Sequence, residues 1–296
     1  MSITESKTIK SGPGRLPGHF KQRVVRSPKV EEVAGTLSRL GLHSVCEEAR
    51  CPNRNHCYSE GTATFLIMGG SCTRSCGFCA VSKSAPQGLD PEEPRAVARA
   101  AAELKLKYAV VTSVTRDDLE DGGAGHFVAV IENIRLLDPP VLIEVLTPDF
   151  RGRPESIDAV IAAGPDIFNH NLETIARLYP LVRPQADYKR SLGLITRVKK
   201  NGLTTKSGLM AGLGESLAEI KAAMSHLADA GCDIITIGQY LAPSALHYPV
   251  ARYWEPEEFE ECRAYGQDLL GLKAVVAGPL VRSSYYAHQT YQTINH

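Results

Sequence analysis

Short runs rich in β-branched residues alternate along most of the chain with longer stretches in which apolar side chains recur every three or four positions. The runs at 62–68, 108–114, 141–146, 166–170, 204–211 and 234–241 read as strands. Between them, 91–106 has Ala and Leu spacing suited to one buried helical face. In 216–230, Leu217, Ile220, Met224 and Leu227 fall on one side, and Gly231 follows as a helix stop. Strands separated by helix-length segments pair in parallel, and right-handed crossovers close them into a barrel or an open sheet. The expectation is an α/β chain: a partial (β/α)6 barrel of parallel strands with N- and C-terminal extensions. An amphipathic stretch at 256–270, a short apolar run at 274–277 and a polar tail complete the pattern, with no internal repeat.

The residues that end each strand are polar or glycine: Gly69-Gly70, Thr112-Ser113, Thr147, Asn169-His170-Asn171, Gly212 with Gly214, and Gln239. In a parallel sheet these ends share one edge, where α/β folds place their chemistry. His170 reads as a packing residue before a proton carrier.

Composition changes the picture little. A chain of 296 residues, 43% hydrophobic and 22% charged, can bury a substantial core. Thirty-three basic residues balance thirty-three acidic ones, so no overall field calls for a nucleic acid or a membrane as partner. No long apolar run suggests a membrane span or a secretory signal, which points to the reducing cytoplasm. Positions 1–30 carry seven Lys or Arg against Glu5 alone, so this arm reads as a solvated tail, an organelle transit segment, or a contact for an acidic partner.

Cysteine changes it most. Six of the eight cysteines lie between 46 and 79, where even spreading would put about one. Without an export signal, metal ligation outranks disulfides. Cys232 and Cys262 stand apart and read as buried packing groups. The six divide by spacing into Cys46-x4-Cys51-x5-Cys57 and Cys72-x3-Cys76-x2-Cys79. Three thiolates in a tight loop can hold three corners of a [4Fe–4S] cluster and leave one iron open. A zinc knot or an ordinary ferredoxin cluster is the plainer alternative.

The Cys72 trio, with Phe78 before its last cysteine and a strand before its first, resembles the radical S-adenosylmethionine motif. The resemblance implies that the open iron chelates S-adenosylmethionine and that one electron releases a 5′-deoxyadenosyl radical. The two trios together, with Arg282-Ser283-Ser284-Tyr285 near the C-terminus, resemble the lipoyl synthase family. So do Thr112-Ser-Val-Thr-Arg-Asp-Asp-Leu119, Asn169-His-Asn-Leu-Glu-Thr174, Lys206-Ser-Gly-Leu-Met210 and Gln239-Tyr-Leu241.

That family implies two [4Fe–4S] clusters and two sulfur insertions, at C6 and C8 of an octanoyl chain on a carrier protein, with the second, auxiliary cluster as sulfur donor. Cys72, Cys76 and Cys79 would hold the first cluster. Cys46, Cys51, Cys57 and Ser283, preferred over Ser284, would hold the second. Phe78 is assigned to the adenine of S-adenosylmethionine, Thr112 to its methionine part, Asn171 to the ribose, Arg183 to the carboxylate and Leu241 to apolar packing. The plainer readings are helix capping for Thr112 and Asn171 and a surface ion pair for Arg183.

The implied partners are octanoylated carrier domains, such as 2-oxoacid dehydrogenase subunits or the glycine cleavage carrier protein, and an electron donor such as ferredoxin or flavodoxin. The expected division is 1–60 for the auxiliary trio, 61–275 for the barrel and 276–296 for the serine motif. Another radical sulfur-inserting enzyme, or a non-catalytic iron–sulfur electron carrier, is the competing reading.

Overall fold

The computed structural model describes residues 16–20, 27–60 and 62–295; six of the seven basic residues of the N-terminal arm lie outside them. One eight-stranded sheet organises the chain, in the order β1 to β8. Its strands are β1 (His43–Ser44), β2 (Thr64–Ile67), β3 (Tyr108–Ser113), β4 (Leu142–Leu146), β5 (Ile167–Asn169), β6 (Thr204–Ala211), β7 (Ile234–Gln239) and β8 (Ala274–Gly278). From β2 to β8 every pairing is parallel, while β1 runs antiparallel to β2. The sheet does not close on itself, so the α/β partial barrel is the observed architecture.

The six strand runs correspond to β2 to β7. Two edge strands are additional. The run 274–277 is too short for periodicity to separate strand from buried coil, and β1, two residues long, carries no period at all.

Strand alternation sorts the two faces of the sheet. Ala109, Val111, Ile143, Val145, Phe168, Ile235 and Ile237 belong to the main core under the crossover helices. The helix Leu217–Asp229 shows how the sequence fixes that packing: a Ser216/Glu219 capping box starts it, and Ile220, Met224 and Leu227 are fully buried. Each such side chain contributes about 1.5–3 kcal/mol on leaving water. The opposite residues of the strands, Tyr108, Val110, Ile167, Ile234 and Ala274, line the concave face. There they meet Ala287, Tyr291 and Ile294 of the C-terminal helix Ala287–Asn295. That helix fills the half-barrel at the N-terminal ends of the strands and leaves the C-terminal ends to the loops.

Above this plug Lys206 and Glu144 form a fully buried ion pair at 2.9 Å, and Glu144 also accepts from Tyr108 at 2.7 Å and Asn169 at 3.0 Å. A buried pair of this kind persists only when further donors satisfy the carboxylate, as they do here. Among the described residues no helix is long and apolar enough to cross a membrane.

Candidate active site: two cysteine trios joined by the C-terminal segment

The loop that follows β2 is laid against the exit of β3. Thr73 donates from its backbone and its hydroxyl to Thr115 O, at 3.0 and 2.9 Å, and its hydroxyl accepts from Asp117 N at 3.0 Å. This brings two backbone N–H groups onto the Cys72 sulfur, Thr115 at 3.3 Å and Arg74 at 3.5 Å. Gly77 is gripped from two other segments, donating to Val182 O at the end of the helix Tyr179–Val182 and accepting from Tyr248 N, each at 2.8 Å. A Cβ there would press on Tyr248 Cβ at 3.4 Å.

Arg74 carries the electrostatics of the loop. Its buried guanidinium binds Asp117 through Nε at 2.7 Å and Nη2 at 3.0 Å, and reaches Asp149 at 2.6 Å. Arg190 adds a second contact to Asp149 at 3.1 Å. Burial alone would raise the Asp149 carboxyl, but the hydrogen bond and charge of Arg74 outweigh it and hold the group down at about 2. Neither Arg74 nor Asp149 stood out in the sequence, and Asp117 did so only as part of the segment 112–119, although an arginine inside a cysteine loop and acids after two strand ends were visible signals.

All eight cysteines are free thiols. Burial pushes Cys79 up to about 11, with Cys76 and Cys72 adding to the rise. Burial likewise raises Cys76, against the pull of Arg183. Each member of this trio therefore sits within electrostatic reach of another.

The second trio is built on short elements. Ser44 ends β1 and caps the helix Val45–Glu48 that holds Cys46, while Cys57 lies on the helix Arg54–Ser59. A buried hydrogen bond of 2.8 Å between Ser44 and Tyr58 ties the two together. Burial pushes Cys46 to about 11, Cys51 adding to it, and Cys57 to about 12, with Cys46 and Cys51 adding. Cys232 and Cys262 are buried in the core, each pushed to about 12, as packing cysteines are.

The C-terminal segment closes over the second trio. Asn53 donates to Leu280 O at 2.7 Å, and His56 Nε2 lies 3.2 Å from the Tyr286 hydroxyl. Burial raises Tyr285, with Tyr286, Cys57 and Cys51 adding, and lowers the half-buried Arg282 against the pull of Cys51. Ser283, between them, has its hydroxyl on Asn171: it donates to Oδ1 at 3.0 Å and accepts from Nδ2 at 2.7 Å. Two glycines make room for this passage. A Cβ on Gly238 would stand 1.9 Å from Val281 O, and one on Gly208 would stand 2.7 Å from Asn171 Oδ1 and 2.9 Å from Ser283 Oγ.

The remaining assigned residues line the rim unevenly. Thr112 spends its hydroxyl on Leu146 O at 2.8 Å. Asn171 also donates to Glu173 at 3.0 Å, so its amide is engaged on both atoms. Arg183 is buried rather than a surface ion pair. It donates to Asn171 O at 2.9 Å, Leu172 O at 3.1 Å and Tyr179 Oη at 3.2 Å, and its Nε has no partner. Phe78 and Leu241 are half-buried, Phe78 against the core. Ser113 Oγ, Thr147 Oγ1 and Asn169 Oδ1 are buried without partners at the same strand ends. Burial lowers His170 to about 4; one ring nitrogen faces Thr147 O at 2.9 Å and the other the Ser191 hydroxyl at 3.0 Å, which makes it a neutral core residue.

This donor set fits iron–sulfur chemistry. Soft sulfurs are grouped in threes, burial penalises the bare thiolates of Cys46, Cys57, Cys76 and Cys79, and N–H donors point at the Cys72 sulfur, so a cationic iron core would supply the compensation. Among the described residues no three Cys, His, Asp or Glu side chains surround a single-ion position; the thiolates of a cubane each hold a different iron. The unpaired polar atoms at the strand ends fit a polar ligand seated above them.

Fold and loop together define a radical S-adenosylmethionine enzyme. The Radical SAM superfamily model matches residues 66–227. The fold resembles that of the [FeFe]-hydrogenase maturase HydG, with a TM-score of 0.59 and 18% identity, covering 77% of this chain and 53% of HydG. A lipoyl synthase of Caldicellulosiruptor saccharolyticus is 52% identical over 282 residues, 95% of this chain and 99% of its own length. One of Rubrobacter xylanophilus is 53% identical over 275 residues, 92% of this chain and 85% of its own. The chain belongs to the lipoyl synthase family. Membership of the superfamily implies one [4Fe–4S] cluster and S-adenosylmethionine.

Proposed function

We propose that this enzyme inserts two sulfur atoms, at C6 and C8, into an octanoyl chain carried on a protein domain, with Cys72, Cys76 and Cys79 holding the radical-generating cluster and Cys46, Cys51, Cys57 and Ser283 holding a second cluster that donates the sulfur. The observation that carries the reading is the meeting of the segment around Ser283 with the elements of the Cys46 trio: Asn53 donates to Leu280 O at 2.7 Å, the His56 and Tyr285 rings stand 6.0 Å apart, and His56 Nε2 lies 3.2 Å from the Tyr286 hydroxyl. When bound, the two clusters and S-adenosylmethionine supply a carbon radical able to take hydrogen from an unactivated carbon, and sulfide to replace it.

The chain's own residues supply geometry and exclusion of water. Arg74, through Asp117 and Asp149, holds the Cys72 loop rigid. Arg183, Ser113, Thr147 and Asn169 offer the buried polar atoms to which the carboxylate and hydroxyls of S-adenosylmethionine would bind, with Phe78 and Leu241 as its apolar walls. Thr112 acts from behind, through Leu146. Residues 61–275 would form the barrel unit and 1–60 and 276–296 the extensions that bear the second cluster. Octanoylated carrier domains and a low-potential donor such as ferredoxin or flavodoxin are the partners this chemistry needs, in a reducing compartment such as the cytoplasm.

An anaerobic assay with reductant, S-adenosylmethionine and an octanoylated carrier peptide, read by mass, tests the assignment. The wild type should give 5′-deoxyadenosine and a doubly thiolated product, Cys72→Ala neither, and Cys46→Ala 5′-deoxyadenosine without sulfur incorporation. Thiolated product at the wild-type level from Cys46→Ala would sink the donor role.

A further inference from the structure

The contact between Ser283 and Asn171 joins the two halves of the site, and none of the assigned roles uses it. Asn171 stands after β5 with its carbonyl held by Arg183, the same guanidinium that acts on Cys76. Its side chain presents both a donor and an acceptor to the Ser283 hydroxyl, at 2.7 and 3.0 Å. On either side of that serine the segment meets the elements of the Cys46 trio: Leu280 O accepts from Asn53 at 2.7 Å, and the Tyr285 ring stands 6.0 Å from that of His56. Gly208 is bare where any Cβ would intrude on both partners, at 2.7 and 2.9 Å, and Gly238 is bare beneath Val281. The concave face is thus shaped to receive the segment with its serine on Asn171.

We propose that Asn171 is a positioning residue that holds the Ser283 hydroxyl whenever the serine is not a cluster ligand, keeping the C-terminal segment docked while the auxiliary site is empty or being dismantled. This rests on the assignment of Ser283 as the fourth ligand. A serine hydroxyl changes partner by rotation about one bond. An amide waiting for it removes the penalty of a released, unpaired hydroxyl in a half-buried site. The serine can then leave iron without the segment leaving the barrel.

Hydrogen exchange of residues 281–286 in the full chain, before and after anaerobic cluster loading, tests this. In the unloaded chain Asn171→Ala and Ser283→Ala should each speed exchange about tenfold, as expected for the loss of a reciprocal pair of hydrogen bonds. The double variant should be no faster than either single one. Asn171→Asp, which keeps an acceptor for the hydroxyl, should retain most of the protection, and Gly208→Ala should lose it. After loading, Asn171→Ala should regain wild-type protection while Ser283→Ala does not. Unchanged exchange in unloaded Asn171→Ala, or additive single effects, would overturn the latch. Dependence on Asn171 that persists after loading would show that the serine never transfers, and would overturn its assignment as a ligand while leaving the hydrogen bond itself in place.

Discussion

Around Cys72, Cys76 and Cys79 the chain is fastened by a buried arginine with two aspartates, by the exit of β3 and by the segments at Val182 and Tyr248, whereas Cys46 and Cys57 sit on two short helices, with Cys51 in the turn between them, roofed by the other end of the chain. The fastenings of the first site tie segments that follow several strands of the sheet to one another. Those of the second are a few hydrogen bonds to residues 280–286, which can open locally. A rigid mount suits a centre that fires repeatedly, and an openable one suits a centre proposed to give up its sulfur and be rebuilt.

The largest test of this difference is Arg74→Ala. The guanidinium is 4% exposed and Asp149 fully buried, so removing it takes the shorter ion pair from an interior carboxylate and leaves it to Arg190 at 3.1 Å and the Arg151 N–H. Breaking such a pair costs about 3–5 kcal/mol. Denaturant midpoints should fall accordingly, and iron content after anaerobic loading should drop from about eight to about four per chain, the loss falling on the radical-generating site. Equal loss from both sites would erase the distinction between them.

How much of this was visible in the sequence follows from range. Alternation along β2 to β7 depends on neighbours two positions apart, so the partial barrel was legible. The spacing within each trio is local, and it divides the cysteines before any fold is known. Arg74 finds its partners 43 and 75 positions away, and Ser283 meets Asn171 across 112; no local period encodes such contacts. The bareness of Gly208 and Gly238 reads in sequence as weakness in a strand. Its reason is the segment passing over them.

Acid offers a smaller test of the same mount. Asp149, held at about 2 against an ordinary carboxyl value near 4, binds fewer protons folded than unfolded. Its stabilisation is therefore complete above about pH 4 and is lost as the pH falls through about 2. The shift is worth roughly 2–3 kcal/mol. Unfolding free energy measured from pH 5 down to pH 2 should decline more steeply in the wild type than in Asp149→Asn, whose side chain has no proton to gain. Identical slopes would remove Asp149 from the mount.

The smallest expected effect lies on the other side. Asn53→Ala removes the hydrogen bond to Leu280 O, a bond worth about 1 kcal/mol. Exchange of residues 279–286 should quicken about fivefold, while the amides of the Cys72 loop keep their wild-type rates. The contrast matters more than the size. If this substitution loosens the roof of the second trio and leaves the first untouched, the two sites open independently. Equal quickening at both would mean that the roof and the radical loop move as one unit, and a separately renewable second centre would then need another route of access than the C-terminal segment.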